Sequence, residues 1–85
     1  MNKLWTDAMW EHYLHWQKHD PKVLQKINQL IKDIERNGAS NGIGKPERLK
    51  GRPVWSRRID HEHRLIYDVQ ENILYLISCK GHYED

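Results

Sequence analysis

Six polar side chains in the second half of this 85-residue chain are of the types that move protons and grip phosphates: Glu47, Lys50, Arg58, Arg64, His82 and Tyr83. A glutamate, with an ordinary pKa of about 4.3, is ionised at neutral pH and can accept a proton, while a histidine, near 6.5, keeps a protonated fraction that can give one up. Arginine presents paired planar donors that match two phosphate oxygens, lysine a compact point charge, and tyrosine a stacking ring with a hydroxyl at its tip. Each residue alone also has a plainer reading. Glu47 and Lys50 are equally at home as solvated loop charges, Arg58 and Arg64 as cross-strand partners of Asp60, Glu62 or Asp68, and His82-Tyr83 as a frayed tail.

Whether these groups meet depends on the elements that carry them. Residues 2–5 read as a short extended lead-in, after which Thr6 or Asp7 can cap a helix over residues 7–19. Trp10, Tyr13, Leu14 and Gln17 fall at i, i+3, i+4 and i+7 there, with Met9 and Trp16 widening the apolar stripe. Asp20-Pro21 ends that helix and starts another, since proline suits a first helical position whose amide has no partner. Val23, Leu24, Ile27, Leu30, Ile31 and Ile34 then repeat at helical spacing, so the two helices should form an antiparallel hairpin. The glycine-rich run from Asn37 to Gly44 is an irregular loop. From Lys45 onward the period changes to two, with strands expected over 46–50, 54–60, 64–69 and 73–79, joined by gaps short enough only for hairpins. The expected fold is α+β: one domain over residues 1–85, with the helix hairpin on one face of a twisted, mostly antiparallel sheet of four to five strands and the other face open.

Alternation assigns the faces. Leu65, Tyr67 and Val69 belong against the helices, which turns Arg64 outward; Trp55 and Ile59 share one side, which leaves Ser56 and Arg58 on the other. Arg58 and Arg64 then stand together on the open face, a juxtaposition that a one-residue slip in register would reverse.

Five segments in order, Trp10-Glu11-His12-Tyr13-Leu14-His15-Trp16-Gln17, Gly44-Lys45-Pro46-Glu47-Arg48-Leu49-Lys50, Trp55-Ser56-Arg57-Arg58-Ile59, Glu62-His63-Arg64-Leu65-Ile66-Tyr67 and Gly81-His82-Tyr83, resemble the YoeB (Txe) family within the RelE superfamily of toxins, over almost the whole chain. The resemblance implies a RelE-like fold and a ribosome-dependent messenger RNA endonuclease that needs no metal or other cofactor, in which a 2′-hydroxyl attacks the adjacent phosphate. It implies Glu47 as the base, His82 as the acid and Arg64 as the third catalytic group, with Arg58, Lys50 and Tyr83 holding the RNA. It also implies a cognate antitoxin of the YefM/Axe kind with an acidic C-terminal tail, contact with the ribosome and mRNA, and a homodimer through the helical half. Two features depart from the family pattern: Glu84 and Asp85 continue past the tyrosine, and the turn at Gly51-Arg52-Pro53 is shorter than the corresponding family loop. The rival reading is a RelE/ParE-fold toxin or RNA-binding module that blocks its target without cutting, because a fold alone does not fix an activity.

Composition bounds the alternatives. With 38% apolar and 31% charged residues the chain is in the globular range, and its one cysteine, Cys79, has no internal disulfide partner and is expected to be buried. No apolar run approaches the roughly 20 residues of a membrane span, and no secretion leader is legible, so a cytoplasmic protein is expected. The net charge is +2, but residues 1–42 hold six basic against five acidic groups while residues 43–83 hold eight against five, a mild tilt toward a polyanion where the candidates lie. His12, His15 and His19 fall near one face of the first helix, a spacing that could hold zinc, but with no carboxylate or cysteine to complete a site they are read as a solvated face.

Overall fold

The computed structural model describes residues 1–81. The elements, in chain order, are β1 (Asn2–Trp5), α1 (Asp7–His19), α2 (Pro21–Asn37), β2 (Glu47–Arg48), β3 (Trp55–Arg58), β4 (Arg64–Gln70) and β5 (Ile73–Ser78). They build a five-stranded sheet of order β1-β5-β4-β3-β2. The last four strands form the expected antiparallel meander, with strand ends within two residues of those the alternation suggested. The lead-in is itself a strand. Asn2–Trp5 runs parallel to β5, opposite Ile73–Leu76, so the sheet is mixed and the helix hairpin lies between two of its strands in sequence.

Local chemistry sets each boundary. The Thr6 hydroxyl accepts the Met9 amide at 3.0 Å, capping α1, and donates to the Ile77 carbonyl at 2.6 Å, tying the cap to β5. Asp20 accepts the Val23 amide at the head of α2, where Pro21 occupies the first turn. Glu71 and Asn72 both take positive φ between paired Gln70 and Ile73, the backbone of a tight two-residue hairpin.

The core lies between the helices and one sheet face: Ile27, Leu30, Ile31 and Ile34 of α2 pack with Leu65, Tyr67, Leu74 and Leu76. The buried face of α1 differs from the expected stripe. Met9 and Trp16 are buried and Tyr13 half-buried, whereas Trp10 is 51% exposed and Leu14 37%. Two polar anchors rotate the helix this way. The Thr6 cap fixes its start on β5, and the Trp16 indole N–H donates to the Cys79 carbonyl at 2.9 Å, which draws the Met9-Tyr13-Trp16 side inward. Trp10 is left at the rim, edge-on to Trp5 with ring centroids 6.2 Å apart.

The far side of the sheet is only partly open. Ser56, Ile66 and Ser78 form a buried row across its middle, with Glu47 paired to Ser56 at one end. Among the described residues no helix is long and apolar enough to cross a membrane.

Candidate functional site

Register brings three of the six candidates to one sheet face. Arg58 lies directly opposite Arg64, as alternation required, and Ser56, two residues before Arg58, lies opposite Glu47. Residues paired across strands, and residues two apart along one, project from the same face, so Glu47, Arg58 and Arg64 share the side away from the helices. Two strand spacings across and two residues along put the Cα atoms of Glu47 and Arg64 about 12 Å apart. Two long side chains converging on one phosphodiester can bridge such a span.

The plainer readings of the arginines fail on their proposed partners. Asp60 accepts the Glu62 and His63 amides within its own turn, Glu62 lies 3.0 Å from the His63 ring, and Asp68 accepts from the Val69 amide and the Gln70 side chain. Arg64 uses one guanidinium nitrogen on the Asp60 and His63 carbonyls, at 2.6 and 3.1 Å, which orients the fork without neutralising it. Directly opposed cations repel, and a polyanion laid across both would relieve that repulsion.

Glu47 is held by the loop before it. The Arg58 amide donates to the Gly44 carbonyl at 2.6 Å, pinning the Gly44-Lys45-Pro46 approach against β3. Gly44 has φ of +82°, and a Cβ there would lie 2.7 Å from Leu30 Cδ2, so only glycine fits between α2 and β3. Lys50 lies in the turn after β2, where the Leu49 amide donates to the Val54 carbonyl and begins the return to β3.

His82 and Tyr83, with Glu84 and Asp85, lie outside the described residues. Their approach is described: the Gly81 carbonyl accepts the Arg64 amide at 2.9 Å, and the Gly81 amide donates to His63 Nδ1 at 2.8 Å. Gly81, the last described residue, is therefore seated beside Arg64.

Sequence reasoning missed Arg57. Its side chain is fully buried and donates from Nε to the Tyr67 hydroxyl, from Nη1 to Asp33 and the Ile43 carbonyl, and from Nη2 to the Gly38 and Asn41 carbonyls. This network straps the glycine-rich loop onto the sheet directly behind Arg58. Its signal was available, since alternation put Arg57 on the core side with Trp55 and Ile59, and a cation there requires partners. The histidines of α1 are also not simply solvated. His12 is half-buried and its Nδ1 accepts the Cys79 amide at 3.2 Å, while the His15 and His19 rings lie 4.7 Å apart, tilted by 42°. Among the described residues no cluster of three or more histidine, cysteine or acidic side chains is arranged to hold a metal ion. A groove of about 390 Å³, lined by Val54, Asp68, Tyr75 and Ile77 among others, holds none of the candidate residues.

Comparison with known proteins agrees with this architecture. The family model of the YoeB-like toxin of bacterial type II toxin-antitoxin systems matches residues 5–83. Toxin YoeB of Escherichia coli K12 is 45% identical over 85 residues, covering 98% of this chain and 100% of the relative. The YoeB dimer of Staphylococcus aureus superposes with a TM-score of 0.92 at 48% identity, covering 98% of each chain. A chain of the heterotetrameric YoeB-YefM toxin-antitoxin complex from the same organism gives a TM-score of 0.90, also at 48% identity and 98% coverage of each. A match of this extent and identity, carried by the same fold, establishes that the chain belongs to the YoeB-like toxins of bacterial type II toxin-antitoxin systems.

Proposed function

We propose that this toxin is a ribosome-dependent messenger RNA endonuclease of the cytoplasm, using Glu47, Arg64 and His82 for chemistry and Lys50, Arg58 and Tyr83 to hold the RNA. The observation that carries the reading is the shared sheet face of Glu47, Arg58 and Arg64, with Asp60, Glu62 and Asp68 engaged elsewhere. In the proposed step Glu47 removes the proton of a ribose 2′-hydroxyl. The O2′–P bond forms as the P–O5′ bond breaks, and His82 gives a proton to the departing O5′, leaving a 2′,3′-cyclic phosphate and a 5′-hydroxyl. Arg58 and Arg64 stabilise the charge growing on the non-bridging oxygens, Lys50 adds a point charge, and Tyr83 stacks on a base.

The relatives guide the partner assignment. The staphylococcal YoeB occurs in complex with YefM and as a dimer. By analogy, an antitoxin with an acidic tail covers the cationic face of this chain, ordering as it binds. A second copy docks on the helical side, where Trp10 and Leu14 are exposed.

Expression of the wild-type chain, Glu47→Ala and His82→Ala in growing bacteria tests the reading. Message shortening with the wild type alone supports cleavage. Equal growth arrest by all three, with messages intact, would replace it with the blocking reading.

A further inference from the structure

Between Cys79 and Gly81 the chain is gripped by two imidazoles acting as hydrogen-bond acceptors. His12, from α1, accepts the Cys79 amide on Nδ1 at 3.2 Å, and Trp16, one turn on, donates to the Cys79 carbonyl at 2.9 Å. His63, at the head of β4, accepts the Gly81 amide on Nδ1 at 2.8 Å, while its Nε2 lies 3.0 Å from Glu62. The His63 ring also packs edge-on against Trp16 at 4.7 Å, so both grips share one wall. A backbone amide can donate to an imidazole nitrogen only while that nitrogen carries no proton; the imidazolium has two donors and no acceptor.

We propose that His12 and His63 are positioning residues that hold the Cys79–Gly81 stem in place through their neutral Nδ1 atoms and release it when protonated. The proposal rests on the nuclease reading and deepens it: Gly81, at the end of this stem, is bonded to the Arg64 backbone, and the proposed acid His82 is the next residue in the sequence.

The two rings have different charged neighbours. His12 faces Lys80, which belongs to the stem itself, and His15; His15 in turn faces His19, Lys80 and His63. His63 faces Glu62, Asp60 and His15. Burial, then the Lys80 ammonium and the His15 ring, hold His12 below the ordinary histidine value of 6.5, favouring the acceptor form. Once imidazolium charge accumulates on this wall it repels the Lys80-bearing stem, and each lost acceptor leaves an amide donor facing an N–H.

The test is water exchange at the Cys79 and Gly81 amides of the full chain, followed by NMR as protection relative to intrinsic rates from pH 7.5 to pH 5. Loss of one such hydrogen bond corresponds to about a two- to tenfold fall in protection. Wild-type protection at Gly81 is expected to fall by this factor with acid. His63→Asn, whose Oδ1 is an acceptor that does not titrate, is expected to keep the protection and lose the pH dependence, while His63→Phe keeps a ring against Trp16 and loses protection at every pH. His12→Asn and His12→Phe are expected to behave the same way at Cys79. Undiminished protection in both Phe variants, or an unchanged acid dependence in both Asn variants, would overturn the proposal. The measurement needs no RNA, so failure of the nuclease reading would show separately, as absence of cleavage with the stem still anchored.

Discussion

Replacing Arg57 by methionine keeps much of the side-chain length and removes every hydrogen bond its guanidinium makes. The structure assigns it donations to the Tyr67 hydroxyl at 2.9 Å, to the carbonyls of Ile43 at 3.0 Å, Gly38 at 2.8 Å and Asn41 at 2.6 Å, and to Asp33. The Arg57 side chain is 0% exposed and that of Asp33 14%, so the substitution strips a buried charge from a partner that keeps some access to water. Breaking a buried pair typically costs about 3–5 kcal/mol, and the residual hydration of Asp33 favours the lower end, about 3 kcal/mol. At roughly 5 °C per kcal/mol for a domain of this size, the melting temperature should drop by about 15 °C in a thermal scan followed by circular dichroism. Because the strapped loop runs on through Gly44 to Glu47, the surviving folded fraction should also show faster amide exchange over residues 38–44 and slower RNA cleavage. A melting temperature within about 3 °C of wild type, with loop exchange unchanged, would refute the claim that this one side chain holds the loop.

Other outcomes follow from the same geometry. Glu47→Gln, on an exposed strand position, should leave the melting temperature within about 2 °C while cutting single-turnover cleavage on programmed ribosomes by about 10²–10⁴-fold. Arg64→Ala should cost about 10²–10³-fold in the same assay, as expected for losing a donor to a charged transition state. The Arg57 hydrogen bond holds the Asp33 carboxyl below its ordinary value of 3.8, against the opposing effect of burial and with help from the Ile43 amide. Its stabilisation is thus complete above that value and lost as pH falls through the lower folded value, so Asp33→Asn should flatten the acid limb of the stability curve below about pH 4. Burial pushes the Cys79 thiol up to about 12, so alkylation by iodoacetamide at pH 8 should be slow in the native protein and fast after unfolding.

The second helix, the meander and the pairing of Arg58 with Arg64 were all legible in the sequence, because each is written as a strong period of 3.6 or two. The rotation of α1 was not. Its aromatic residues occur on more than one side, so apolar periodicity offered competing stripes, and the choice was made by contacts distant in sequence, from Thr6 to Ile77 and from Trp16 to Cys79. Strand β1 was hidden for a similar reason: four residues carry little pattern of their own, and their pairing with β5 is created by the sheet edge they fill. Arg57 was overlooked because the charge pattern drew attention to outward-facing arginines, although the alternation that turned Arg58 outward also turned its neighbour inward. The double role of His12 and His63 at the stem depends on which ring nitrogen meets which amide, information that sequence spacing does not hold.

One sheet face of this toxin is proposed to cut messenger RNA within the ribosome. The most direct measurement of this is the mapping of 5′ ends on a defined message in a purified translation system, with ribosomes present and then omitted. New 5′-hydroxyl ends are expected within the A-site codon only when ribosomes are present, and none with Glu47→Gln. Arrested translation over an intact message would contradict the proposal.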